Sequence, residues 1–119
     1  MIKDLEKLLS RAHSPCDNTR VSAIAVMKDG TSFSGVIIKN VIFRDAIYAE
    51  QAAIARAAAK GYRYGDFKEL QIMANLKDIA DLKHINHDVI IEFMEPNASI
   101  FLYDINHNPK ELKVSDLSL

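Results

Sequence analysis

Apolar residues recur at helical spacing in two parts of the chain, one at its start and one in its second half. The first such run has lysine and glutamate between its apolar positions, which predicts an amphipathic helix. It should end near His13, because Ser14–Pro15 disfavours continuation. A second run, His84–Phe93, predicts another helix that ends before Pro96–Asn97. The apolar positions are Ile2, Leu5, Leu8, Leu9 and Ala12 in the first run, and Ile85, Val89, Ile90 and Phe93 in the second.

Five shorter segments have the composition of strands. Val21–Met27 is almost wholly apolar, which is typical of a strand buried on both faces. Asp29-Gly30 follows it and is a strong hairpin signal. Helices interleave with these strands, so we expect an α/β fold of three layers, with a mixed five-stranded sheet between helices. The predicted strands are Val21–Met27, Thr31–Ile38, Phe67–Ala74, Ser99–Tyr103 and Glu111–Val114.

The central part of the chain predicts a helix rich in alanine. From Ala46 to Ala59 eight residues are alanine, and only Glu50, Gln51 and Arg56 are strongly polar. Alanine has the highest helix propensity, and Gly61 is a suitable C-terminal residue. A helix that is apolar nearly all round should be buried on more than one side. Glu50 near its start has two interpretations, a site residue or an acid that favours a helix N-terminus.

Composition limits the classes of function. The chain has 119 residues, which suits a single domain over residues 1–119, and its formal net charge is −1. This charge, with no basic stripe of interleaved aromatics, argues against nucleic-acid binding. No apolar run approaches the roughly 18 residues of a membrane span, and the first ten residues lack a signal-peptide pattern. With one cysteine, Cys16, we expect a cytoplasmic protein without an internal disulfide.

Several short motifs occur in order along the chain, namely Arg11–Pro15 followed by Arg20-Val21, Lys28–Gly30, Asn40, Ala49-Glu50, Glu92-Phe93 and Lys113–Leu119. Their order and spacing resemble the cytidine deaminase family over nearly the full chain. The resemblance implies a three-layer α-β-α fold, a homotetramer, and a zinc site that deaminates cytidine. Ala49-Glu50 matches the end of the family's Cys-Ala-Glu or His-Ala-Glu motif. Glu50 would therefore be the residue that shuttles protons while zinc-bound hydroxide attacks the base.

The sequence departs from the family at the positions of the zinc ligands. Tyr48 stands where the first ligand belongs, and Lys83 and Asn86 stand where the two cysteines belong. A neutral phenol with a pKa of about 10 is a poor zinc ligand, and a protonated lysine has no lone pair to donate. Gln51 replaces the family's arginine after the glutamate. We therefore expect no cofactor, and zinc only if another set of ligands exists.

The expected substrate pocket is altered as well. Ile37-Ile38-Lys39 stands where the family has its ribose-binding Asn-x-Glu, and Thr19 stands where an aromatic ring would pack on the base. The sequence thus predicts a pseudoenzyme, a homo-oligomeric protein that binds a small nucleoside-like ligand or regulates an active partner. Within it, the Lys83 ammonium could pair with Glu50 in place of zinc, because a buried carboxylate is tolerated when paired. A solvated Lys83 is the alternative.

A rebuilt metal site is the competing hypothesis. His84 and His87 have the i, i+3 spacing that can place two imidazoles on one helix face. A third ligand would have to come from Tyr48, Cys16 or His13, and the protein would then be a hydrolytic deaminase of cytidine or a related nucleoside. The simpler interpretation is that both histidines lie on the solvent-exposed face of the helix. Cys16 as an independent nucleophile is a further possibility, although free cysteine usually behaves as a small hydrophobe.

Overall fold

The computed structural model describes residues 1–15, 18–39, 46–79 and 85–117. Helices and strands alternate along most of this length. In chain order they are α1 (Ile2–Leu9), β1 (Val21–Met27), β2 (Ser32–Val36), β3 (Ile38–Lys39), β4 (Ala46–Ile47), α2 (Ala49–Ala59), β5 (Phe67–Ala74), α3 (His87–Phe93), β6 (Ser99–Tyr103) and β7 (Pro109–Lys113), followed by a short 3₁₀ turn at Val114–Asp116.

Five of the strands form one mixed sheet in the order β2-β1-β5-β6-β7. The pair β5 and β6 is parallel, and the other neighbours are antiparallel. The short strands β3 and β4 pair separately, with Ile38 opposite Ile47. The α/β fold with a mixed five-stranded sheet, predicted from the sequence, is confirmed.

Helices cover both faces of this sheet. On one face, Leu5 of α1 packs in a cluster with Ile24, Met73 and Tyr103. On the other face, α2 and α3 share the main core with apolar side chains of the sheet, among them Ala53, Ile54 and Ile90. The layers are therefore helix, sheet and helix, as predicted. Among the described residues, no helix has the length and apolar character that crossing a membrane requires.

Three strands have the bounds that the sequence predicts, namely β1, β5 and β6. The end of the first helix and the start of the central helix differ from the prediction, because hydrogen bonds to distant residues replace helical ones there. The first helix ends at Leu9, since His13 turns to β3: its N–H donates to the Ile37 carbonyl and its own carbonyl accepts from Lys39. The central helix begins at Ala49, not at Ala46, because Ala46–Ile47 pairs with β3.

The second-half helix and the last strand also differ from the prediction. The helix begins at His87, because the Asn86 side chain accepts a hydrogen bond from the Val89 N–H and caps it. The last strand spans Pro109–Lys113, and Val114 belongs to the 3₁₀ turn that follows. The central helix is also less enclosed than predicted, since Ala55 and Ala59 are exposed in the single chain.

The start of α2 lies against the backbone of β2 at Gly35. A Cβ atom added to this glycine would lie 2.3 Å from the Ala49 carbonyl oxygen and 2.6 Å from the Ala53 nitrogen. No side chain fits between the two backbones here, since real Cβ atoms do not approach backbone atoms so closely. Gly35 therefore fixes how closely the N-terminal turns of α2 approach the sheet.

Candidate functional site

Glu50 lies in the first turn of α2, on the face that meets the sheet and α3. Its side chain is buried, with 1% of its surface exposed. The carboxylate oxygen Oε1 accepts a hydrogen bond of 2.8 Å from the backbone N–H of Asn86. A carboxylate buried this deeply is uncommon, because ionised groups lose hydration when they leave water. This hydrogen bond joins the start of α2 to the residue that caps α3.

Burial raises the pKa of Glu50 above its ordinary value, since the ionised form is the one that loses hydration. The hydrogen bond from the Asn86 N–H opposes this shift, and so do the backbone N–H of Glu50 itself and the charge of nearby His87. Desolvation is the largest of these influences. Glu50 therefore holds its proton to a higher pH than an exposed glutamate does.

Tyr48 is the residue immediately before α2. It is half-buried and packs against the main core, and its backbone N–H donates a 3.3 Å hydrogen bond to Oε1 of Gln51. Gln51 thus satisfies a backbone donor at the helix start, which a side chain at this position commonly does. The phenol and the amide at these two positions serve packing and helix capping.

Asn86 uses both its backbone and its side chain in this region. The N–H is donated to Glu50, and the side-chain oxygen Oδ1 accepts from the Val89 N–H at 3.2 Å. His87 follows as the first residue of α3 and is half-buried, so it is not on a fully exposed face. The structure therefore brings Glu50, Asn86 and His87 together, at the junction between α2 and α3.

Several residues that the sequence singles out lie outside the described residues, namely Cys16, Asn40, Lys83 and His84. The Lys83–Glu50 pair and the His84–His87 pair stay predictions for that reason. His13, the other proposed third ligand, is exposed and its backbone is bonded to β3. In residues 1–15, 18–39, 46–79 and 85–117, no group of three or more histidine, cysteine, aspartate or glutamate side chains could hold a metal ion.

The donors at the matched ligand positions do not fit zinc. Structural and catalytic zinc sites use thiolate, imidazole and carboxylate donors. Tyr48 offers a phenol, and the Asn86 side-chain oxygen is already bonded to the backbone of α3. Glu50 and His87 supply one carboxylate and one imidazole, fewer than the three protein ligands that a catalytic zinc site needs. Among the described residues, the site therefore contains one buried carboxyl group and too few ligands for a catalytic zinc ion.

The loop that resembles the ribose-binding segment is largely apolar in the structure. The side chain of Ile37 is buried in the main core, whereas Ile38 is 39% exposed. Sequence reasoning missed the Asn86 cap and its N–H bond to Glu50. A signal for the cap was present, since Asn86 and Asp88 precede an apolar run as N-terminal helix residues often do. No comparable signal points to the Glu50 contact, which joins residues 36 positions apart.

Comparison with known proteins agrees with this fold. A cytidine deaminase of Mycoplasma genitalium is 26% identical over 117 residues, which cover 98% of this chain and 88% of that protein. A cytidine deaminase of Halalkalibacterium halodurans is 25% identical over 117 residues, covering 98% of this chain and 87% of that protein. The crystal structure of cytidine deaminase from Burkholderia pseudomallei superposes with a TM-score of 0.87 at 24% identity, covering 97% of this chain and 91% of that one.

No family model matches the chain. The superposition defines a three-layer α/β protein with the cytidine deaminase fold. The two relatives extend that likeness to the sequence over nearly its full length, so the chain is similar to cytidine deaminases in sequence as well as in fold.

Proposed function

We propose that this chain is a zinc-free member of the family, a pseudoenzyme that assembles with itself and binds a small nucleoside-like ligand or regulates a partner. The observation that carries this proposal is the double use of Asn86. Where the family resemblance places a cysteine ligand, Asn86 donates its N–H to Glu50, and its side-chain oxygen accepts from the Val89 N–H of α3. The position has become part of the hydrogen bonding between two helices, and its side chain offers an amide oxygen in place of the thiolate that zinc prefers.

The chemistry of the family explains why this difference matters. Hydrolytic deamination needs an activated water, and bound zinc lowers the pKa of water from about 15.7 to about 7. The resemblance of Ala49-Glu50 assigns Glu50 to the family's proton shuttle, yet a single buried carboxyl group does not replace a Lewis acid. We therefore expect Glu50 to join α2 to α3 through the Asn86 N–H and not to hydrolyse a bound ligand.

The direct test is zinc content together with deamination. Purified, untagged protein is dialysed against zinc, washed, and analysed for bound metal at known protein concentration. We expect far less than one zinc per chain and no conversion of cytidine or deoxycytidine, because the donors at Tyr48 and Asn86 do not suit zinc. The matched comparison is the triple variant Tyr48→Cys, Lys83→Cys, Asn86→Cys. It should take up about one zinc per chain, as three thiolates form a suitable set.

One zinc per chain in the unmodified protein, with deamination, would contradict this proposal. The alternative, a hydrolytic deaminase with a rebuilt metal site, would then be correct. In that event His84→Ala and His87→Ala should each release the metal. The position of His87 favours this alternative, since it begins α3 directly after Asn86, whose N–H binds Glu50. Failure of the triple variant to bind zinc would instead place the error in the assignment of Lys83.

Self-association is the second part of the proposal, and apolar exposure supports it. Ile38 and Ile47 pair across β3 and β4 and are 39% and 51% exposed. The outer side of α2, which follows directly, exposes Ala55 and Ala59. Ile38 and Ile47 are neighbours across this strand pair, and neighbouring exposed apolar side chains are typical of a contact between subunits. We propose that this surface, the isoleucine pair and the outer side of α2, is covered by other copies in a homotetramer.

A charge placed on this surface should disrupt assembly. We expect Ile47→Arg to lower the molar mass measured by light scattering from a tetramer to a smaller species, because an interface core excludes unpaired charge. Ile105→Arg is the matched control, since Ile105 is 49% exposed and lies in the turn between β6 and β7. It should leave the mass unchanged. A monomeric parent protein, or equal effects of both variants, would exclude this surface as the interface.

A further inference from the structure

A hollow of about 350 Å³ lies where α1, β2 and α2 meet, at the free edge of the sheet. It does not contain Glu50, which faces the core between α2 and α3. Its volume is within the usual range of small-molecule sites, roughly 300–1,000 Å³. Neither the family resemblance nor the proposed function uses this hollow, so its chemistry is a separate question.

Positive charge is concentrated in its walls. Lys7, Arg11 and Arg56 line it, against a single carboxylate, Asp4, whose side chain is 74% exposed. The protein as a whole has a formal net charge of −1, so this concentration is local. Within the described part of the chain, the side chains of Lys7 and Arg11 form no salt bridge. Three cations around one hollow attract an anion and repel one another when none is bound.

Arg56 is held in a fixed position at the rim. It projects from α2 around the edge strand, and its Nη1 donates to both the Ser34 carbonyl at 2.9 Å and the Ser34 hydroxyl at 3.0 Å. Both hydrogen bonds use one nitrogen of the guanidinium. The group has five N–H donors in a rigid plane, so the other two nitrogens have three donors left for a ligand. An arginine fixed in this way loses little side-chain freedom on binding.

The edge strand adds neutral donors. Ser32 and Ser34 both line the hollow, two residues apart and so on one face of β2. The Ser34 carbonyl points away from β1, since it accepts from Arg56. In an antiparallel pair the N–H and carbonyl of one residue point to the same side, so the Ser34 N–H also faces the free edge. Hydroxyl, amide and guanidinium groups together are the donors that bind phosphoryl oxygens.

We propose that this hollow, formed by Lys7, Arg11, Arg56, Ser32 and Ser34, is a binding site for a phosphoryl group. The group would be that of inorganic phosphate or of a small phosphorylated metabolite. Arg56 comes from α2, on the opposite face of the sheet from α1, and reaches the hollow around the sheet edge. The anion would therefore be bound by side chains from both faces. A bound dianion would neutralise the repulsion among the three cations and join α1 to α2 across the sheet edge.

The test is isothermal titration of the full-length protein with inorganic phosphate at low ionic strength, where exposed charges are least screened. We expect saturable binding with a dissociation constant on the order of 1 mM, or about −4 kcal/mol. Arg56→Ala and Arg11→Ala should each weaken it about tenfold, since a charge-assisted hydrogen bond contributes at least that much. Arg56→Lys should weaken it as well, because lysine lacks the planar donors.

Matched controls are a lysine and an arginine that do not line the hollow. Lys3→Ala changes an exposed cation on α1, and Arg63→Ala removes an exposed arginine that caps the end of α2. Both should retain the parent affinity. Titration with ribose 5-phosphate, with ribose as its reference, distinguishes the sources. Tighter binding than phosphate indicates a phosphorylated metabolite, and equal binding indicates phosphate itself.

Two results would overturn the proposal. One is the absence of saturable phosphate binding up to about 20 mM, well above the expected constant. The other is an equal loss of affinity in the control variants, which would indicate diffuse attraction to surface charge. Circular dichroism of Arg56→Ala and Arg11→Ala confirms that they are folded, and each variant tests the site independently of the other.

Discussion

Replacing Gly35 with alanine is expected to destabilise the protein by about 3 kcal/mol or more. The added methyl group would lie 2.3 Å from the Ala49 carbonyl oxygen and 2.6 Å from the Ala53 nitrogen. These are backbone atoms, so no side-chain rotation relieves the clash, and α2 must move away from β2 or the strand must shift. Urea denaturation of the variant and the parent protein measures the difference in the free energy of unfolding.

Gly61→Ala is the control for this substitution. Gly61 ends α2 with φ +101° and has open space where a Cβ would be. Alanine there should lower the free energy of unfolding only by the cost of the left-handed backbone conformation, about 1–2 kcal/mol. If the close contact of β2 and α2 is as described, Gly35→Ala must cost more than Gly61→Ala. A Gly35→Ala variant as stable as the parent would show that α2 does not lie against the strand backbone.

The second large effect is a pH-dependent cost of burying Glu50, which Glu50→Gln should remove. The folded pKa is raised above the ordinary value of 4.5, chiefly by desolvation. Between 4.5 and the folded pKa, the folded protein keeps a proton that the unfolded chain has released. The free energy of unfolding therefore falls as pH rises through this window. Glutamine has no charge to desolvate, and its oxygen can still accept from the Asn86 N–H.

The measurement is urea denaturation of both proteins from about pH 5 to about pH 9, across the window above the ordinary glutamate pKa. The stability of the parent relative to Glu50→Gln should decline with rising pH and then level off. Glu92→Gln, at an exposed glutamate of α3, should show no such decline. A difference that stays constant over the whole range would contradict the prediction. It would support the Lys83 hypothesis, in which an ammonium group beside Glu50 stabilises the ionised form.

The sequence predicted the parts of the fold that depend on burial alone. Val21–Met27 follows from an apolar run that is typical of a strand covered on both faces. Phe67–Ala74 follows from the apolar content that Leu70, Ile72 and Met73 supply. The start of α2 did not follow, because a partner distant in sequence determines it. Ala46–Ile47 lies at the start of an alanine-rich segment that favours a helix. It pairs with β3 instead, so α2 begins three residues later, at Ala49. Helix propensity depends on the local sequence and does not take strand pairing with a distant segment into account.

The candidate site shows the same division. The position of Glu50 in a buried helix could be predicted from the alanines around it. Its partner could not, because the donor is a backbone N–H, which every residue except proline possesses and which leaves no trace in the sequence. The role of Asn86 as a cap is local and was open to prediction, whereas its meeting with Glu50 depends on how α2 and α3 pack.

The hydrogen bond from Arg56 to the Ser34 carbonyl has a consequence for aggregation. β2 is an edge strand of the sheet, and such a strand offers unpaired backbone groups to any extended segment of another molecule. Arg56 occupies one of these acceptors and places a charge at the centre of the five-residue strand. An incoming strand would have to displace that guanidinium and bury its charge. The residue thus acts as a gatekeeper that keeps the sheet from growing between molecules.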